Sequence, residues 1–285
     1  MPDITNHDLS GVPETLFIPL YIRAMESQRP DALIKDEKAV WMMEHARYDF
    51  SRIKQMKIDE HDKVTIVLRS REIDRFARDF LARCPEAVIV HIGCGLDSRF
   101  ERVDNGKVEW YDLDVPEVIE IRRKLIGGES GRYHFLSCSA FESAWMNTLN
   151  QHGQRPFLFL AEGVFMYFEE AQVKSLVLSL REHFPGAELV FDAFSPFIVW
   201  ANNRRIARTK IGARYHWSLK RGKDLEAWGK DIYLLDEWFF LDRPEPRLSS
   251  IRWLRIIPLI ARAIGIFQYR LGKSTIPSNP APMSL

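Results

Sequence analysis

Cysteine is scarce in this chain, net charge is nearly absent, and no apolar run is long. The three cysteines, Cys84, Cys94 and Cys138, are an odd number without metal-ligand spacing. That excludes a disulfide framework and a cysteine-held metal, and it fits a reducing, cytoplasmic compartment. With 40 basic residues against 39 acidic ones the formal charge is +1, so no global field favours nucleic acid or a membrane, and any electrostatic preference is local. Met1 to Gly11 has neither the basic start nor the apolar block of a secretory signal. The most apolar segment, Ile256 to Phe267, contains Pro258 and Arg262 and is far shorter than the roughly 20 residues of a membrane span. It is expected as a buried helix, with a helix lying on a membrane surface as the alternative. Acids are missing from Ala201 to Gly222, around Arg204, Arg205, Arg208, Lys210, Arg214, Lys220, Arg221 and Lys223. A solvated helix face and a basic lid are the two readings of that run.

Against these absences, 46% hydrophobic residues in 285 can fill a sizeable core. Helices are expected over Thr15–Met25, Lys35–Glu44 and Glu72–Arg83, with a charged stretch ending in the apolar Val64–Leu68 before the third. The region up to residue 84 then forms a helical cap. Val88–Ile92, Val108–Leu113, Tyr133–Ser137, Phe157–Ala161 and Glu188–Phe194 read as strands, interleaved with helices at Ser98–Val103, Pro116–Leu125 and Glu169–His183. This alternation predicts an α/β, Rossmann-like, doubly wound parallel sheet with ligands beyond the strands' carboxyl ends. After a lid insertion over 197–230, which contains a short helix at Leu225–Gly229, a strand at Ile232–Phe240, a helix at Arg252–Ile264 and a strand at Ile266–Leu271 complete seven strands, one of them antiparallel. One domain is expected over 1–272, with its cofactor-binding core at 85–196, closing strands at 231–272 and a flexible tail at 273–285.

The densest signal is Ala87 to Arg99, where a β-branched run ends in Gly93-Cys94-Gly95 and continues Leu96-Asp97-Ser98-Arg99. A glycine turn after a strand lets a ligand approach backbone. Asp112 and Asp114 close the next strand, where a carboxylate can accept both hydroxyls of a ribose. NAD and S-adenosylmethionine both carry that ribose. The third glycine of the dinucleotide fingerprint is missing, so a pyrophosphate would meet side chains instead of backbone, which favours S-adenosylmethionine.

Three ordered stretches, Ile-Gly-Cys-Gly-Leu-Asp-Ser-Arg, Tyr-Asp-Leu-Asp-Val-Pro-Glu-Val and Ala-Glu-Gly-Val-Phe-Met-Tyr-Phe, together with Arg69-Ser70-Arg71-Glu72-Ile73-Asp74 upstream, resemble the leucine carboxyl methyltransferase family. The similarity is greatest to its bacterial branch of polyketide O-methyltransferases, and it covers roughly residues 13 to 195. It implies that Gly93 and Gly95 line S-adenosylmethionine, that Asp114 holds its ribose with Asp112 nearby, and that Arg69 meets the methionyl carboxylate. It also implies that Asp97 receives the ammonium, directly or through water, and that Glu162 sits beside the sulfonium. Ser139-Ala140 stands where the family commonly has an adenine-contacting Asp-Leu pair.

Arg71 is expected on a solvated helix face and His91 as a core histidine, while Trp217 and Trp228 are candidate walls for an aromatic acceptor. Methyl transfer needs mainly positioning, without a metal. A carboxylate acceptor is already ionised; a phenol or alcohol would need a base, for which Glu162, Tyr167 and His216 are the candidates. The expected partner is a small acidic or aromatic methyl acceptor, with no nucleic acid and no membrane. An NAD-dependent oxidoreductase and a catalytically inactive cofactor-binding partner protein are the rival readings.

Overall fold

The computed structural model describes residues 14–46, 48–56, 58–209 and 214–273; Met1 to Gly11, Lys210 and the tail from Ser274 lie outside them. Seven strands, β1 (Val88–Ile92), β2 (Glu109–Asp114), β3 (Tyr133–Ser137), β4 (Phe157–Ala161), β5 (Ala187–Phe194), β6 (Ile232–Phe239) and β7 (Ile264–Leu271), form one sheet of order β3-β2-β1-β4-β5-β7-β6. β1 to β5 pair in parallel, and β7 runs antiparallel to both of its neighbours. Chain order reverses between β1 and β4, the position at which such sheets open a crevice beyond their carboxyl ends.

Side-chain alternation divides the core between two faces. Val88, Val90 and Ile92 pack with Phe157, Phe159, Trp145, Leu176 and Leu180, covered by α7 (Ala144–Leu149) and α8 (Glu170–His183). Ile89, Leu158 and Leu160 pack with Ile73, Phe76 and Phe80 on the opposite face. All five residues of β1 are buried, which is why its run is apolar rather than alternating.

The cap comprises α1 (Phe17–Ser27), α2 (Glu37–His45) and α3 (Ser51–Gln55), followed by α4 (Glu60–Arg83). The expected break between Leu68 and Glu72 does not occur: α4 is one helix of 24 residues. No Gly or Pro interrupts it, and Val64, Leu68, Ile73, Phe76, Ala77 and Phe80 keep one apolar face through the charged stretch. Arg69 therefore projects from mid-helix rather than from a loop. Two short helices, α5 (Arg99–Val103) and α6 (Pro116–Leu125), follow β1 and β2.

Past β5, α9 (Pro196–Thr209) leads into the segment from Arg214, and Asn203 clamps Tyr215 through two backbone hydrogen bonds of 2.8 and 2.9 Å. The helix expected over Arg252–Ile264 is replaced by a 3-10 segment (Arg252–Ile256), the four-residue α10 (Pro258–Ala261) and the start of β7. Pro258 lacks the N–H that a continuous helix would need. Nor is the segment buried: Trp253 is 61%, Ile256 75% and Leu259 56% exposed. Among the described residues no helix is long and apolar enough to cross a membrane.

Candidate functional site

The turn after β1 has Gly93 at φ +63° and Gly95 at φ +50°, both in the left-handed region that favours glycine. A Cβ on Gly93 would lie 2.5 Å from Val164 Cγ2, so the loop after β4 fits against this turn only because the side chain is missing. Asp114, at the end of β2, closes the turn by accepting the Gly95 and Val115 N–H groups, each at 2.8 Å. Burial pushes its carboxyl above the ordinary range against those two bonds. The side chain remains partly open to solvent, and Ser137 sits beside it in register on β3.

Asp112 is corrected as a cofactor contact. It is fully buried, with Oδ2 taking Arg122 Nε at 2.9 Å and the Tyr133 hydroxyl at 2.5 Å, and Oδ1 taking Trp110 Nε1 at 2.8 Å. Arg122 uses its remaining donors on the Gly95 and Asp97 carbonyls at 2.7 and 2.5 Å. The pair braces the glycine turn from beneath.

Around the turn runs a chain of buried charges. Arg23 binds Asp36 at 3.0 Å, and Arg102 binds Asp36, Asp74 and Asp97 at 2.8, 2.7 and 2.9 Å. Arg99 binds Asp74 and Asp97 at 2.7 and 2.9 Å and also Glu162. Arg69 Nε meets Glu162 Oε1 at 3.0 Å and its Nη1 meets Asp192 Oδ2 at 3.1 Å. Five carboxylates thus face four guanidiniums; the half-exposed Arg78 approaches Asp74 only at 3.9 Å. Burial of charge at this density is tolerated because each group has a partner.

This arrangement revises several expected roles. Glu162 has the partners its apolar surroundings demand, including the Ser70 hydroxyl at 2.8 Å. Burial pushes its carboxyl up, but Arg99 and Arg69 outweigh that and hold it down to about 2. With Arg69 and Arg99 on its two oxygens it is a fixed anion and a poor proton acceptor. Asp97 has a guanidinium on each oxygen and acts as an anchor for Arg99 and Arg102. Tyr167, raised by burial and by its hydrogen bond to Tyr215, stays a neutral phenol and is no base in the phenolate form.

Trp217 is buried and packs in the core with Phe165, Phe191 and half-buried Trp228. His91 is a core histidine as expected, with Nε2 3.2 Å from Arg99 and with Nδ1, 3.5 Å from Asp112, making no hydrogen bond among the described residues; Arg71 pairs with Glu72 at 3.1 Å on the helix surface. Ser139 and Ala140 form the turn after β3, where the Ser139 N–H donates to Glu142 at 3.0 Å and the Ala140 carbonyl accepts Trp145 Nε1 at 3.2 Å. His216 pairs with Glu169 at 2.7 Å.

Sequence reasoning missed Arg99, Arg102, Asp74 and Asp192 as members of the site. Arg99 and Arg102 are three residues apart, one face of a helix that starts at the glycine turn, and that spacing is the signal that could have found them. Asp192 accepts the Gly163 N–H at 2.6 Å as well as Arg69, and burial pushes its carboxyl up against both.

The residues fit a cofactor carrying net positive charge. Leaving aside the 3.9 Å contact of half-exposed Arg78, the network has one carboxylate in excess, Arg69 is held at its edge by Glu162 and Asp192, and Asp114 stays partly open at the strand end. The sequence profile of the leucine carboxyl methyltransferase family matches residues 17–180. The chain is 34% identical over 238 residues to the tetracenomycin polyketide synthesis O-methyltransferase TcmP of Streptomyces glaucescens, covering 83% of this chain and 86% of that protein. It is 29% identical over 265 residues to the S-adenosyl-L-methionine-dependent methyltransferase dpfgK of Gibberella zeae, covering 86% and 88%.

Two solved structures share the fold. A DUF574 family protein from Streptomyces avermitilis superposes with TM-score 0.58 at 12% identity over 92% of this chain and 99% of that one. Magnesium protoporphyrin IX methyltransferase from Synechocystis with bound S-adenosylhomocysteine gives 0.50 at 11% identity over 82% and 99%. With its family profile running from the cap through α8, this chain belongs to the leucine carboxyl methyltransferase family and is an S-adenosylmethionine-dependent methyltransferase.

Proposed function

We propose that the chain methylates a carboxylate oxygen of a small, apolar, polyketide-like molecule. The observation that carries this reading is the chemistry of the carboxyl edge. Glu162, which follows β4 and meets Arg69 at 3.0 Å, is held ionised by two arginines, and the Tyr167 phenol, which also feels Arg69, is held neutral. A carboxylate acceptor needs no base, whereas a phenol does. The likeness to a polyketide-synthesis O-methyltransferase supports the same substrate class.

In this reading Asp114 accepts the ribose hydroxyls, the Gly93–Gly95 turn supplies backbone room, Ser139 and Ala140 border the adenine, and Arg69 Nη2 takes the methionyl carboxylate in a charge-assisted bond. The cofactor supplies a methyl group on a sulfonium leaving group. These residues would hold the sulfonium so that its methyl group passes to an acceptor oxygen lone pair, with the electron pair of the S–CH3 bond left on sulfur as a neutral thioether. The protein orients the acceptor and excludes water, for which near-attack placement contributes roughly 7 to 11 kcal/mol. Helix α9, with Arg204 and Arg205 exposed on it, serves as the basic lid over an anionic acceptor.

The test pairs calorimetry with product analysis. S-adenosylmethionine should bind, and aromatic carboxylic acids should yield methyl esters while matched phenols do not. A phenol-only product spectrum would shift the reading to a base-assisted reaction, for which His216, braced by Glu169, is the remaining group. Tight cofactor binding with no turnover across the panel would favour an inactive partner protein, and tight NAD binding an oxidoreductase.

A further inference from the structure

Two acid-free stretches meet at one edge of the molecule. From Arg247 to Leu285 the sequence has no Asp or Glu, and neither does Ala201 to Gly222. The segment that should have been a buried helix instead projects Trp253, Ile256, Ile257 and Leu259 into solvent. Ser195, the residue before α9, donates its N–H to the Ala263 carbonyl at 2.8 Å. This bond brings the start of α9, with exposed Phe197 and Trp200, to the end of the apolar segment. Arg204 stacks over Trp200 at 4.8 Å, and Arg255 is exposed within the segment itself.

Exposed aliphatic and aromatic side chains concentrated in one short segment and the adjoining helix start mark an interaction surface, not ordinary surface scatter. We propose that this edge docks on an anionic lipid surface. Its chemistry favours lipid over a protein partner. Large apolar side chains jut from a short turn, Ile256 most of all at 75% exposure, and an acyl–headgroup boundary takes such side chains without a matching groove. Arginines interleaved with them carry charge to the headgroup level along apolar stems. Neither stretch carries a carboxylate of its own; the acids that border them, Glu237 at 3.5 Å from Arg262 and Asp62 at 3.0 Å from Arg205, are each engaged by an arginine, which leaves Arg204 and Arg255 to face phosphate. The attachment is interfacial and does not span the bilayer. The edge adjoins the carboxyl end of β5, so the docked protein would present its acceptor entrance to the phase in which an apolar acceptor dissolves. That consequence rests on the proposed substrate class, but the docking itself does not.

The full chain is tested by co-sedimentation with phosphatidylcholine vesicles containing or omitting phosphatidylglycerol. Binding should require phosphatidylglycerol and weaken with added salt. It should fall at least about tenfold in Ile256→Ser/Leu259→Ser, from lost apolar burial, and drop again with Arg255→Glu. These positions are exposed, so thermal midpoints and S-adenosylmethionine affinity should not change, which keeps failure of docking distinct from failure of methyl transfer. Absence of binding to phosphatidylglycerol vesicles, or equal binding by the double variant, overturns the proposal. So does a concentration-dependent dimer in lipid-free sedimentation that the same substitutions dissolve, or capture of an acidic acyl-carrier protein in place of vesicles.

Discussion

Arg69 and Asp192 lie 123 residues apart in sequence and 3.1 Å apart in space, from Nη1 to Oδ2. The contact ties the middle of α4 to the end of β5 and leaves Arg69 Nε for Glu162 at 3.0 Å. A single guanidinium thus joins the cap to two strand ends. Asp192→Asn should preserve the hydrogen bond from the Gly163 N–H while reducing the charge on Arg69. The expected result is a changed S-adenosylmethionine affinity with near-native thermal unfolding; an unchanged dissociation constant would place Asp192 outside cofactor binding.

If Asp114 holds the ribose as proposed, Asp114→Ala should weaken S-adenosylmethionine binding by about 1 to 3 kcal/mol, because the ribose hydroxyls, with the Gly95 and Val115 N–H groups, lose an acceptor. Asp114→Asn keeps one acceptor oxygen and should fall between that variant and the native protein. Isothermal titration with circular dichroism as a folding control decides it.

Gly93→Ala is expected to destabilise by more than the cost of its positive φ alone, since the new methyl meets Val164 Cγ2 at 2.5 Å. Val164→Ala in the same chain should recover part of the loss. A coupling energy above about 0.5 kcal/mol in a denaturant double-mutant cycle would confirm the contact, while simple additivity would exclude it.

Glu162→Gln leaves Arg99 and Arg69 with one fewer carboxylate each and should cost about 3 to 5 kcal/mol, the range for breaking a buried ion pair. The pH dependence has a definite sign. The folded-state carboxyl of Glu162 lies near 2, below its ordinary value of 4.5, so its stabilisation is complete above about pH 4.5 and is lost as pH falls toward 2. Asp97, Asp36 and Asp112, also held below the usual carboxylate range, act in the same direction. The thermal midpoint should drop steeply below pH 4.5, and Glu162→Gln should flatten part of that slope.

Arg204→Glu should raise KM for a carboxylate acceptor several-fold and leave S-adenosylmethionine affinity unchanged, if α9 is a basic lid. Arg205→Glu would in addition break its 3.0 Å contact with Asp62 on α4, so the two effects separate the lid's charge from its tether. An unaltered acceptor KM in both variants would reduce the basic run to a solvated face.

Local patterning along the chain was enough to place the five parallel strands, the glycine turn and Asp114 at a strand end. Strands buried on both faces are written as continuous apolar runs, and a left-handed turn is written as glycine. The same local reading failed where a neighbour distant in sequence decides the outcome. Asp112 and Asp114 look alike two residues apart, but Arg122 and Tyr133 close over the first and leave the second at the rim. Glu162 reads as a site carboxylate in either case, and only the convergence of Arg69 from α4 and Arg99 from α5 makes it a fixed anion instead of a base. At 256–259 the apolar composition argued for burial, but Pro258 cuts the helix short and the segment stays exposed among the described residues. Residue type and spacing carry strand, turn and charge; which charge is spent inside the protein and which stays available to a ligand depends on contacts between segments far apart in the chain.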